Sequence, residues 1–452
     1  MEDNTDPAAT ESRWRALGLG IGLILFIAML ASTPPEGMAP MAWRVAAVAS
    51  LMAVLWITEA LPVAATALIP LAAFPLLGVG TMSKTAAPYA NPLIFLFLGG
   101  FIIALTMERW QLHTRIALAV LRRAGNRMDA LIAAFMGATA FLSMWVSNTA
   151  TTLMMIPIVL SVAALGRDDR AHGLSGFSAA LLLSVAYGAS IGGIVTLVGT
   201  PPNAFLAAFM LDRFGLRIGF AEWLMMGLPL ALIMLVVVWW LLTHVLFRLG
   251  PARLSGAEDA IAAHAGAQGP MNRAQKMTAA LFVCTAVLWI TRPWIKGALG
   301  LPNLDDTVIA MVAALAAFCL PVDIRRGIFL MNWEHARRVP WGILLLFGGG
   351  LALAGAISRS GLADWIGARL TVIGGLAPLL VVLAIVTVII FLTELTSNTA
   401  TTATFLPVVA TLALTIGENP LLLAAPAALA ASCAFMLPVA TPPTPSSSAR
   451  GT

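Results

Sequence analysis

Ser147-Asn148-Thr149-Ala150-Thr151-Thr152 recurs without a change as Ser397-Asn398-Thr399-Ala400-Thr401-Thr402, 250 positions further on. Both copies sit inside long apolar stretches. In hydrocarbon a buried hydroxyl or amide must find a partner, and a run of Ser, Asn and Thr suits a helix cap better than a helix interior. The simplest structure is a re-entrant helical hairpin with the polar run at its tip, over 130–165 in the first case and 376–416 in the second.

Outward from these tips, two further pairs follow the same order. Pro92 to Gly100 matches Pro340 to Gly349, and Gly199-Thr200-Pro201-Pro202 matches Ala440-Thr441-Pro442-Pro443. Counting apolar spans makes the first Pro-initiated helix run from outside to inside and the second from inside to outside. The repeats are therefore expected to be inverted. Inverted repeats with interrupted helices are the mark of secondary transporters, which bind cargo near the midplane where helix ends meet.

Composition agrees. Of 452 residues, 60% are hydrophobic and 10% charged, where a soluble domain carries about 25% charge. Apolar spans fall near 15–32, 43–61, 63–80, 91–107, 223–247, 276–296, 307–322 and 340–357, most of them long enough to cross about 30 Å of hydrocarbon. The chain is expected to be an all-α, polytopic membrane protein. The net charge of +5 reads as loop charge rather than a nucleic-acid footprint. With the N-terminus inside, 17 of the 26 basic residues fall in inside loops, as the positive-inside rule asks; Arg213 and Arg217 depart from it. Trp14 to Ala31 reads as a first membrane helix, not a cleaved signal. Cys284, Cys319 and Cys433 have no paired spacing and read as small buried hydrophobes. Four regions are expected: scaffold helices over 1–90, a first repeat over 91–249, a flexible cytoplasmic linker over 250–275 and a second repeat over 276–452.

The polar motifs imply chemistry. Helix N-termini at the tips would aim free N–H groups and a positive dipole end at an anion, with Asn amides and Ser/Thr hydroxyls adding donors. Pro201 and Pro202, like Pro442 and Pro443, lack N–H groups and break the helix after the preceding Thr. The exposed carbonyls suit a hard cation such as sodium. One such patch alone reads more simply as hydrogen bonding between neighbouring helices; two identical patches in inverted repeats, each followed by a Thr-Pro-Pro break, favour a binding site.

At these residues the chain resembles the divalent-anion:sodium symporter family, in its dicarboxylate-transporter branch. The likeness covers about 90–445, and Glu59-Ala60-Leu61-Pro62 and Glu108-Arg109-Trp110-Gln111-Leu112-His113 also look like family segments. The resemblance implies an elevator mechanism, with a transport domain sliding against a homodimeric scaffold. It implies that Ser147, Asn148 and Thr149 with Ser397, Asn398 and Thr399 contact the carboxylates, and that Thr200, Pro201, Thr441 and Pro442 line the same pocket. One sodium site would use Ser143, Ser147, Asn148 and backbone near Gly193 or Gly199; its mate would use Thr393, Thr396, Asn398 and Ala440. The cargo implied is a C4-dicarboxylate such as succinate, malate or fumarate, carried across the inner membrane with sodium. Sulfate transport, dicarboxylate exchange and a truncated, non-transporting protein are the competing readings. No nucleophile–base or metal constellation suggests an enzyme.

Other residues read as follows. Glu394 is either a cation or proton site or a carboxylate paired at the wet edge of the hairpin. Glu59 beside Pro62 reads as structural. His113, His172, His244, His264 and His335 fall at loops or helix ends without metal-ligand spacing. Arg109 to Arg127 reads as a cytoplasmic surface helix or an anionic-lipid contact. The tail after Pro443, Thr-Pro-Ser-Ser-Ser-Ala-Arg-Gly-Thr, is expected to replace a last helix through a reading-frame slip, since with one inserted base the same codons can read Asn-Ala-Val-Val-Phe-Gly-Thr-Gly.

Overall fold

The computed structural model describes residues 7–165, 174–249, 252–298, 300–369 and 377–436. In chain order the helices are α1 (Pro7–Ala31), α2 (Pro40–Ile57), α3 (Val63–Thr66), α4 (Ile69–Leu76), α5 (Met82–Ala86), α6 (Pro92–Arg109), α7 (Leu112–Leu121), α8 (Met128–Ser143), α9 (Asn148–Leu165), α10 (Leu174–Ile194), α11 (Pro201–Phe214) and α12 (Phe220–Trp240). Then follow α13 (Ala257–Gly266), α14 (Arg273–Ala298), α15 (Asp306–Cys319), a short hairpin of β1 (Pro321–Asp323) and β2 (Ile328–Phe329), α16 (Trp333–Ala336), α17 (Trp341–Arg359), α18 (Leu362–Arg369), α19 (Pro378–Leu395), α20 (Asn398–Thr415) and α21 (Pro420–Ala431). Among the described residues nine helical spans are long and apolar enough to cross a membrane. The architecture is mostly helical and multi-pass, and the short β1–β2 hairpin departs from the all-α expectation.

The chain divides into two compact units, each made of discontinuous stretches. Of the described residues, one holds 7–94, 204–217 and those of 340–436; the other holds those of 95–203 and 218–339. In the second unit α7, α8, α9 and α10 share a core of fully buried Leu131, Phe135, Met155, Val159, Phe177 and Leu181. Between membrane helices lipid supplies no hydrophobic drive, so close packing of small residues matters most. Gly188 and Gly192 on α10 face Met136 and Ala140 on α8. A Cβ at Gly188 would lie 2.6 Å from the Met136 carbonyl oxygen, and one at Gly192 would collide with the backbone of Ala140. The first unit uses the same device: Gly348 and Gly349 on α17 lie against Tyr89 and against the backbone of Ala67.

Three expectations need correction. The 63–80 stretch is not one span: it breaks into α3 and α4, because Pro62 precedes the first, Pro70 starts the second and Pro75 interrupts it. Within 250–275, read as flexible, α13 forms and buries Ala257 and Ile261 in the α7–α10 core; its short, Ala-rich pattern has too few large apolar residues to show a helical period. Cys284 and Cys319 are exposed and Cys433 is half-buried. An apolar segment of a membrane chain puts one face toward lipid, so an apolar neighbourhood does not mean burial.

Candidate functional site

Ser143 ends α8 and Asn148 begins α9, so residues 144–147 form the turn between them. The Ser143 hydroxyl donates to Asn148 Oδ1 at 2.7 Å, and the Thr152 hydroxyl donates to the Asn148 carbonyl at 2.8 Å. Ser147 is exposed, while Asn148 and Thr149 are half-buried. The first-turn N–H groups of α9 thus open beside an Asn amide already held by one hydroxyl.

The break between α10 and α11 packs on this turn. A Cβ at Gly193 would lie 2.5 Å from Asn148 Oδ1, and one at Gly199 would lie 2.5 Å from the Gly193 carbonyl oxygen and 3.1 Å from that of Ser143. Only glycines allow this approach. Pro201 and Pro202 open α11, where their missing N–H groups cost nothing. Thr200 is buried before them.

Asn203 holds the break open. Its Nδ2 donates to the carbonyls of Gly193 at 3.0 Å, Ile194 at 3.2 Å and Thr196 at 2.7 Å. Those three acceptors fix the amide orientation, since a flip would set oxygen against oxygen. Its Oδ1 is then buried without a hydrogen-bond partner among the described residues. Trp223 Nε1 also donates to the Ile194 carbonyl, at 2.9 Å, and the Thr196 hydroxyl donates to the Met144 carbonyl. Asn203 and Thr196 were missed as site residues. The signal for Asn203 was present: an amide in an apolar run, two places after a helix-breaking Pro.

The second turn repeats the first. Asn398 begins α20, and Ser397 before it is extended, with φ −62° and ψ 131° and no side-chain cap. The Thr393 hydroxyl bridges Asn398 Oδ1 at 2.8 Å and the Ala431 carbonyl at 2.7 Å. The Thr402 hydroxyl donates to the Asn398 carbonyl at 2.8 Å. Both side-chain bonds are the first-turn bonds displaced by 250 positions. Differences sit around them. Thr396 and Thr401 share a hydroxyl–hydroxyl bond, whereas Val146 stands at the matching place in the first turn and leaves the Thr151 hydroxyl buried without a hydrogen-bond partner among the described residues. Glu394, buried, accepts the N–H groups of Phe435 at 2.7 Å and Met436 at 2.9 Å, so it stabilises the chain just beyond α21.

The structure thus gathers Ser143, Ser147, Asn148, Gly193 and Gly199, with Thr200 and Pro201 following, in one unit. It gathers Thr393, Thr396, Ser397, Asn398 and Thr399 in the other. Ala440, Thr441 and Pro442, and the tail after them, lie outside the described residues. So does the whole of 166–173, His172 included. Glu59 takes a left-handed backbone, φ 47°, directly after α2, which fits its reading as a helix-end residue.

Comparison with known proteins gives four findings. The family model described as "Sodium:sulfate symporter transmembrane region" matches residues 13–449. The sodium-dependent dicarboxylate transporter SdcS of Staphylococcus saprophyticus is 42% identical over 434 residues, covering 94% of this chain and 84% of the relative. That of Staphylococcus aureus strain USA300 is 41% identical over 439 residues, covering 96% and 84%. Among solved structures, the YdaH transporter of Alcanivorax borkumensis superimposes with a TM-score of 0.55 over 94% of this chain and 86% of its own, at 14% identity; that likeness concerns the fold alone.

Proposed function

The chain belongs to the sodium:sulfate symporter family, and on that premise we propose that it is a secondary transporter carrying C4-dicarboxylates such as succinate, malate and fumarate with sodium. The observation that carries the reading is the pair of Ser/Thr-capped Asn residues, Asn148 and Asn398, each at the start of a helix. A dicarboxylate has two anionic ends, and two helix N-termini with amide and hydroxyl donors supply one recognition group for each. The relatives at about 42% and 41% identity, named for sodium-dependent dicarboxylate transport, support the cargo.

In this reading Ser147, Asn148, Thr149, Ser397, Asn398 and Thr399 bind the carboxylates, and Thr200, Pro201, Thr441 and Pro442 shape the pocket. The cations are cargo. Ser143, Ser147 and Asn148 with backbone near Gly193 and Gly199 offer hard oxygen ligands for one, and Asn148 Oδ1 keeps a lone pair after accepting from Ser143. Thr393, Thr396, Asn398 and Ala440 hold the other. The two helix pairs, α8–α9 and α19–α20, act as re-entrant hairpins of inverted repeats, and transport proceeds by an elevator motion within a homodimer in the inner membrane, N-terminus inside. The net role is transport and not catalysis.

Labelled succinate uptake into proteoliposomes, with and without an inward sodium gradient, tests this. Accumulation that needs sodium is expected, with unlabelled malate and fumarate competing. Uptake only into vesicles preloaded with dicarboxylate would make the protein an exchanger, and sulfate competing better than succinate would move the cargo class. No transport of any of these would sink the reading.

A further inference from the structure

One polar cavity is lined by none of the motif residues. It measures about 170 Å³ and is lined by Leu105, Glu108, Arg109, Gln111, His335 and Arg338, all within one unit. The last turn of α6 brings Leu105, Glu108 and Arg109 together. Gln111 turns the chain toward α7 with a left-handed backbone, φ 52°; such strain in a non-glycine residue gathers at functional positions. His335 comes from α16, and Arg338 lies just beyond it.

The lining is only partly spent on the fold. Arg109 Nη1 is anchored by the carbonyls of Phe329 at 3.3 Å and Leu330 at 3.2 Å, which leaves Nε and Nη2 as donors. The side chains of Glu108, Gln111 and Arg338 make no hydrogen bond to another described residue. His335 Nδ1 pairs with Asn332 Oδ1 at 2.7 Å. Burial, then Arg109 and Arg338, hold its pKa below the ordinary histidine value. Two guanidiniums against one carboxylate leave the lining at +1. Glu334, which faces Arg109, and Arg337 lie just outside it and offset each other in formal charge.

The cavity also marks a level. The span that includes α6 ends at Arg109, one of the lining residues. Trp333 and Phe329 are exposed, and Arg109 stacks on the ring of Trp110 at 5.2 Å. Exposed Trp beside Arg at a span end is the signature of the lipid–water boundary.

We propose that this cavity binds the phosphodiester headgroup of a membrane lipid. Arg109 and Arg338 pair with the phosphate oxygens, while Glu108 and Gln111 accept from the hydroxyl or ammonium of the headgroup alcohol. The +1 lining matches the single charge of a phosphodiester. A soluble phosphate ester offers the same chemistry without the acyl chains, so the test must separate the two sources.

The proposal depends on the chain being a membrane protein and not on its cargo, so its test reads lipid binding alone. Native mass spectrometry of the purified, delipidated full chain, titrated with phosphatidylglycerol, is expected to show one retained lipid. Affinity should fall at least tenfold in Arg338→Ala and further in Arg338→Glu. Glu108→Gln, which raises the local positive charge, should tighten binding several-fold. Both positions are exposed, and an unchanged unfolding midpoint without lipid identifies a folded variant. sn-Glycerol 3-phosphate should fail to displace the lipid. Equal lipid retention by the wild type and all three variants overturns the proposal, and displacement by the soluble ester makes this a site for a soluble phosphate.

Discussion

At the scale of single residues, the proposed site depends on two amides. Asn148→Ala removes an acceptor of the Ser143 hydroxyl and a donor to the cargo; Asn398→Ala does the same opposite Thr393. Hydrogen bonds to charged groups are worth about 1.5–3 kcal/mol, so each change should cut succinate uptake about 10- to 100-fold, with the protein still inserted in the membrane. Near-normal uptake by both variants would end the assignment. Ser143→Ala and Thr393→Val each delete a hydroxyl that fixes an Asn oxygen. They should raise the sodium concentration for half-maximal uptake more than that of succinate, and the opposite split would detach these hydroxyls from the cation. This layer was largely legible in the sequence, because identical polar hexads in apolar surroundings have few uses. The hydroxyls at 143 and 393 were readable only through the family resemblance. Thr196 escaped because its partner is a backbone carbonyl freed by a break, which no side-chain motif records, while Asn203 was marked only by an amide in an apolar run after the Pro pair.

At the scale of elements, the fold depends on breaks and on close approaches. Asn203→Leu leaves the carbonyls of Gly193, Ile194 and Thr196 without their shared donor. An orphaned buried acceptor costs about 1–3 kcal/mol, so the unfolding midpoint in detergent should drop, and an unchanged midpoint would show that other donors take over. Two helical glycines give opposite expectations. Gly192→Ala drives a methyl into the backbone of Ala140 and should destabilise the α8–α10 pair. Gly137→Ala, with nothing within 4 Å of its added Cβ, should leave the midpoint unchanged or raise it by the equivalent of about 0.5–1 kcal/mol. The pairing of α8 with α9 and of α19 with α20 was legible from the interruptions in the apolar runs. The helix at 257–266 was not, since its ordering comes from two side chains, Ala257 and Ile261, entering a core built by α7–α10. Periodicity within ten residues cannot report a contact made elsewhere.

At the scale of the whole molecule, the repeat was legible and the partition was not. The sequence suggests halves divided near 250–275, while among the described residues the compact units interleave, three stretches in one and two in the other. Contacts between residues hundreds of positions apart decide that partition, and they leave little local trace. Removing sodium should abolish accumulation of succinate by the whole protein while leaving counterflow untouched if exchange is intrinsic, a distinction that proteoliposome counterflow resolves.

The interleaving has a consequence for how the protein is made. Ile94 closes the first stretch of one unit, and Pro340 opens its last, 246 residues later (340 minus 94). At about 5–20 residues per second of synthesis, the first stretch waits on the order of ten to fifty seconds for α17. Throughout that interval Tyr89 and Ala67, whose hydroxyl and carbonyl pair with each other, lack the glycine faces of Gly348 and Gly349 that pack on them in the finished fold. Order of emergence from the ribosome, and whatever shields those two residues meanwhile, is therefore a requirement of this fold as much as its final packing.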